Sequence, residues 1–139
     1  MSASRGVLRW LLLLTLALGA QPAAAGHGTP PSFPVLTIDA DRLKTLLDQG
    51  LRFVLVDVRS PEAYQKGHIP GARSLSLDEP ADRFRELPQG GALIVLYCDC
   101  PEAEINPAYQ FLRFHGYRQV FVLDGGLAAW AARGYPIKR

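Results

Sequence analysis

Cys98 and Cys100 stand one residue apart in the stretch YCDCPEAEINPA (residues 97–108), and they are the only cysteines of a 139-residue chain. Asp99, Glu102 and Glu104 add three carboxylates to the same stretch. Thiols in this spacing can act as a nucleophile with a resolving partner, as a redox pair or as metal ligands. They can also be structural residues at a strand end. Metal binding is set aside, because His27, His68 and His115 are scattered and offer no ligand spacing to two thiolates. Cys98 directly follows the apolar run Leu93–Tyr97. Asn106 reads as the N-cap and Pro107 as the first residue of the next helix. A thiol on a loop facing a helix N-terminus has its thiolate favoured by backbone N–H groups, which suits a nucleophile. From position alone, a buried structural cysteine competes equally.

The elements that must hold this loop alternate. Val35–Ile38 reads as a short strand, and Asp39 caps a helix whose Leu43, Leu46 and Leu47 share one face. Phe53–Val58 is an apolar run of the kind buried on both faces of a sheet. A short helix opens at Pro61-Glu62, Ala72–Leu77 reads as a third strand, and a weak helix follows at 81–86. Leu93–Tyr97 is the next buried strand, followed by a helix over Pro107–His115 with Phe111 and Leu112 inward. Val120–Leu123 and Leu127–Arg133 are the last strand and helix. This alternation predicts an α/β fold: one domain over residues 35–139, with a mostly parallel sheet covered by helices on both faces. In such sheets ligands sit beyond the carboxyl ends of the strands, which is where Cys98 falls.

Residues 1–25 read as a cleavable signal peptide. Arg5 and Arg9 form a basic region, Trp10–Ala20 an 11-residue apolar run, and Ala23-x-Ala25 a cleavage site. The run meets Gly19, Gln21 and Pro22 too soon for the roughly 20 apolar residues of a membrane span, so no stable insertion is expected after cleavage. Residues 26–34, rich in Gly and Pro, read as a tether. Removing residues 1–25 takes away two of the 15 Lys+Arg and none of the 13 Asp+Glu, leaving a net charge of zero. That balance gives no footprint for nucleic acid or an anionic membrane. The expected location is periplasmic or secreted, where paired thiols tend to oxidise. A single short bridge would stabilise little, so this is not a disulfide scaffold.

The stretch LVDVRSPEAYQKGHIPGARSLSL (residues 55–77) resembles the first half of a rhodanese-homology domain, through Asp57-x-Arg59, Glu62, Tyr64 and Gly67-His68-Ile69-Pro70-Gly71-Ala72. The second half is similar too: Tyr97-Cys98, His115-Gly116-Tyr117, Val120–Leu123, Gly125-Gly126, Trp130 and Gly134-Tyr135-Pro136, in family order. The resemblance implies a five-stranded, largely parallel sheet and, at Cys98, a catalytic cysteine. That cysteine carries sulfane sulfur as a persulfide from a donor to a thiol acceptor, without metal or organic cofactor. Loop N–H groups would hold the anionic persulfide as an oxyanion hole holds oxygen.

The loop departs from the common pattern of glycine and arginine after the cysteine: Asp99, Cys100, Pro101, Glu102 and Ala103 contain neither. Six residues beyond Cys98 lies Glu104, and six beyond Cys100 lies Asn106, so the arginine that phosphatase chemistry needs is missing. Three carboxylates beside the thiol would disfavour thiolate and repel anions. A neutral or cationic donor, or a protein persulfide, therefore fits better than thiosulfate. Alternatively the carboxylates point into water. Cys100 reads as a resolving thiol that frees sulfur from Cys98 as a disulfide forms, or as a thiol without a role. Asp57 and Arg59 read as orienting the loop through an ion pair, or as an ordinary buried pair. His68 reads as fixing a turn or, alternatively, as a catalytic base; Trp130 and Tyr135 read as packing the last helix. Three functions fit: an exported sulfurtransferase, a thiol–disulfide protein using Cys98 and Cys100, and a catalytically silent binding module. The retained cysteine favours the first two, and the missing arginine the third.

Overall fold

A computed structural model describes residues 31–139; the signal-peptide reading and the first part of the tether lie outside these residues. The three apolar runs form the centre of the sheet as Val54–Asp57 (β2), Ile94–Tyr97 (β4) and Val120–Leu123 (β5). Thr37–Ile38 (β1) and Arg73–Ser74 (β3) are two-residue edge strands. The order is β1-β5-β4-β2-β3, and every pairing is parallel. The edges are shorter than the six or four residues expected because each has one neighbour. The ladder still continues past them through the Leu75 and Leu77 amides, which donate to Asp57 and Val58.

Side chains on successive strand residues go to opposite faces. Leu55, Val95, Tyr97 and Leu123 pack with Ala40–Asp48 (α1), Pro61–Lys66 (α2) and Gly126–Ala132 (α4). Val56, Ile94, Leu96, Val120 and Val122 pack with Glu102–Phe114 (α3) and a 3-10 turn at Ala81–Glu86. The caps at Asp39 and Ser60 accept from Arg42 and Ala63, as short polar side chains at those positions should. Leu43 and Leu112 are fully buried; Leu46, Leu47 and Phe111 are half-buried.

Two expectations are corrected. Helix α3 starts at Glu102, not Pro107, and runs through that proline. Glu102 and Glu104 in its first turn complement the helix dipole, and the Asn106 side chain accepts from Gln110 within the helix instead of capping it. Phe33 and Pro34, assigned by composition to the tether, are fixed to α3. The Gln110 amide exchanges hydrogen bonds with both backbone groups of Phe33 (2.8 and 2.7 Å), and the Tyr109 hydroxyl donates to the Pro34 carbonyl (2.8 Å). Tyr109 OH also accepts from the Leu36 amide.

Candidate active site

The site is built where β2, β4 and β5 end. Cys98 is the first residue after β4, and α3 begins four residues later, so the positive end of that helix lies nearer the cysteines than the sequence suggests. Both cysteines are half-buried against the α3 layer of the core. They are joined to each other by a disulfide, with Cα atoms 5.2 Å apart, and neither thiol is free.

Asp57 is completely buried at the end of β2 and is met by Arg59 two residues on. The guanidinium donates from Nε to Oδ1 (2.9 Å) and from Nη2 to Oδ2 (2.6 Å), and Nη2 also reaches the Gly67 carbonyl (2.7 Å). The hydrogen bond to Asp57 raises the Arg59 pKa further above its ordinary value, against the opposing effect of burial. From this anchored position Nη1 extends to Asp99 Oδ2, 3.4 Å away. Burial pushes the Tyr97 phenol far above its ordinary pKa, and its oxygen accepts from the Ile69 amide. Tyr97 is therefore a neutral structural group.

Asp99 does not simply add charge beside the sulfurs. Its Oδ1 accepts from the Ala128 amide (2.9 Å) in the first turn of α4. Gly125, which precedes that helix, has no side chain to cap it, so the loop supplies the missing acceptor. The close approach requires glycine at position 126: a Cβ there would overlap the Cys98 carbonyl, and its φ of 58° is left-handed. Sequence reasoning placed Gly125 and Gly126 in a motif without giving them this role; the diglycine directly after a buried strand was the available signal.

Glu102, Ala103 and Glu104 are exposed on the first turn of α3. Asp99 shares one cleft with Glu102 and another with Glu104, so the three carboxylates do not converge on a single space. A cleft of about 360 Å³ is bounded by Val35, Cys98, Cys100, Pro101, Glu102 and the β5–α4 turn at Asp124 to Gly126. A second, of about 350 Å³, is bounded by Arg59, Ser60, Ser76, Cys98 and Glu104. Cys98 borders both clefts, Cys100 only the first. Sequence reasoning missed Val35, Ser60, Ser76 and Asp124, which reach the site only through the fold.

His68 is buried, with its ring stacked on Tyr64 and Nδ1 against the Tyr64 carbonyl, while its backbone exchanges hydrogen bonds with Lys138. It fixes a turn and borders neither cleft. Trp130 and Tyr135 pack together, and Trp130 Nε1 donates to the Pro136 carbonyl. Among the described residues no three His, Cys, Asp or Glu side chains are grouped to hold a metal, and no helix is long and apolar enough to cross a membrane.

Residues 39–133 match the rhodanese-like domain family. The chain is 35% identical over 100 residues to a sulfurtransferase of Allochromatium vinosum, covering 72% of this chain and 92% of that protein. It is 44% identical over 84 residues to the HTH-type transcriptional regulator Rv0324 of Mycobacterium tuberculosis, covering 60% of this chain but only 36% of the regulator. Among solved structures, the Alr3790 protein from Anabaena sp. superposes with a TM-score of 0.66 at 34% identity, covering 73% of this chain and 81% of that one. The chain belongs to the rhodanese-like domain family.

Proposed function

We propose that this chain is an exported sulfurtransferase that carries sulfane sulfur as a persulfide on Cys98 and passes it to a thiol acceptor. The observation that carries this reading is the placement of Cys98: first residue beyond a buried parallel strand, bordering two clefts, close to the N-terminus of α3. The reduced thiolate attacks the sulfane sulfur of a donor, forms the Cys98 S–S bond and expels the remainder of the donor with the electron pair. Arg59, held by Asp57, and the Ala128 amide anchor the loop through Asp99. These are positioning groups. Intact mass spectrometry of the dithiol-reduced protein after exposure to a sulfane donor tests the proposal: Cys100→Ser, which keeps Cys98 but has no second thiol, gains one sulfur atom and Cys98→Ser gains none. Capture by Cys98→Ser would overturn it.

The Cys98–Cys100 bond favours a second reading, thiol–disulfide exchange. In that case reduced wild type oxidises substrate dithiols only after its own bridge forms, and sulfane donors leave no sulfur on Cys100→Ser.

A further inference from the structure

The bridge joins the proposed sulfur carrier to its neighbour two residues on, at a Cα separation of 5.2 Å that lies within the ordinary disulfide range. The loop is held in this shape by contacts other than the bridge: Asp99 to the Ala128 amide and to Arg59, and Gly126 against the Cys98 carbonyl. A reduced Cys100 therefore stays within reach of the Cys98 sulfur. The loop also lacks an arginine that would hold an external anionic acceptor, and the chain contains no third cysteine. An acceptor built into the loop takes the place of the first, and the lack of the second means that any bridge must be opened from outside.

Resting on the persulfide reading of Cys98, we infer that the chain reduces the sulfur it captures to hydrosulfide, with Cys100 as the reductant of the first step. The Cys100 thiolate attacks the inner sulfur of the Cys98 persulfide. The bond between inner and outer sulfur breaks, the outer atom leaves with the electron pair, and the Cys98–Cys100 bond forms. One sulfane sulfur is reduced by two electrons, two thiols are oxidised to one disulfide, and the proton of Cys100 ends on the hydrosulfide. Hydrosulfide is a weaker base than a cysteine thiolate and the better leaving group. Holding the two sulfurs in one loop makes this a unimolecular step, which an external thiol must match by concentration. The bridged form seen here is then the product of the turnover. A protein dithiol completes the cycle: its two thiols become a disulfide, and their hydrogens pass to Cys98 and Cys100. The cleft that borders Cys100, walled by Val35, Pro101 and Asp124, is the approach for that dithiol.

The test uses reduced protein, freed of reductant, and a benzenethiosulfonate donor. That donor leaves as sulfinate, so no other thiol enters the reaction. Released sulfide and intact mass are measured together over a single turnover. The wild type is expected to release one equivalent of sulfide and lose two hydrogens, whereas both Cys100→Ser and Cys100→Ala keep one added sulfur and release none. Sulfur retained on the wild type without sulfide release would overturn the inference and leave the carrier intact. Sulfide released equally by the Cys100 variants would also overturn it. If neither wild type nor variants take up or release sulfur, the carrier reading falls, and this inference with it.

Discussion

Asp99 and Glu102 are both acidic and both border the first cleft, but among the described residues only Asp99 has its charge answered. Its oxygens are engaged by the Ala128 amide and Arg59, while Glu102 stands exposed and Glu104 borders the opposite cleft. The three carboxylates therefore separate into one positioning group and two surface charges. Each exposed charge within reach of an incoming dianion costs its capture on the order of 1 kcal/mol or less in so wet a setting. Glu102→Gln and Glu104→Gln should each raise kcat/KM for thiosulfate up to about fivefold at low salt, with the gain fading at high salt. Glu102→Arg should go further, since it adds a cation at the cleft mouth. Asp99→Ala should instead lower sulfur uptake and cost about 0.5–2 kcal/mol of stability, the usual range for losing a helix-capping acceptor. Equal rates across this series at both salt concentrations would show that the glutamates lie too far from the substrate path to matter. The types and order of these residues are legible in the sequence, as is the pairing of Asp57 with Arg59. Their directions are not, because Asp99 is satisfied by an amide 29 residues away that belongs to another helix.

Helix α3 shows how one local signal can outweigh another. Asn106-Pro107 has the form of a cap and first residue, yet the chain is already helical from Glu102. The competing start, Pro101 followed by two glutamates, uses the same preferences for proline and acid at an N-terminus. Burial decides between them: Ile105 is buried in the same layer as Ala108, Tyr109 and Leu112, and an extended 102–106 segment would forfeit that placement. Pro107 is thereby left in the sixth helical position without an N–H for the Ala103 carbonyl. Because that carbonyl is close to the exposed helix start, the cost is well below that of proline deeper in a helix. Pro107→Ala should stabilise the domain by about 1 kcal/mol after the loss of proline's restriction of the unfolded chain. Calorimetry should show this as a higher Tm. A Tm equal to or below the wild type would mean that the proline stabilises the turn it occupies. The buried strands β2, β4 and β5 were readable to within two residues because length and apolar continuity point one way. The edge strands were overextended because one-sided pairing leaves no comparable trace in composition.

At the scale of the whole molecule, both ends of the described chain are fastened to the fold. The carboxyl end pairs with His68 through Lys138, and Pro136 accepts from Trp130. The amino end is clasped at Phe33, Pro34 and Leu36 by Gln110 and by the fully buried Tyr109, which brings Val35 to the wall of the first cleft. Composition separates the expected leader from the domain, but proline-rich residues just before a strand carry no mark of being bound, since their partners lie more than 70 residues away. This clasp sets where the chain can be shortened. Cleavage after Ala25 spares every residue of it, whereas a start at Leu36 removes the Phe33 and Pro34 contacts together with Val35. Protein recovered from the exporting cell's envelope should begin at Gly26, and N-terminal sequencing checks this directly. A chain of residues 26–139 should then unfold as one cooperative unit and capture sulfur. A chain of residues 36–139 should be less stable by about 1–3 kcal/mol, because the Tyr109 hydroxyl and the Gln110 amide lose their backbone partners in a half-buried setting. Urea unfolding of the two chains measures the difference. Equal midpoints would show that the clasp contributes nothing to stability, and a mature protein that still carried residue 1 would remove the export reading.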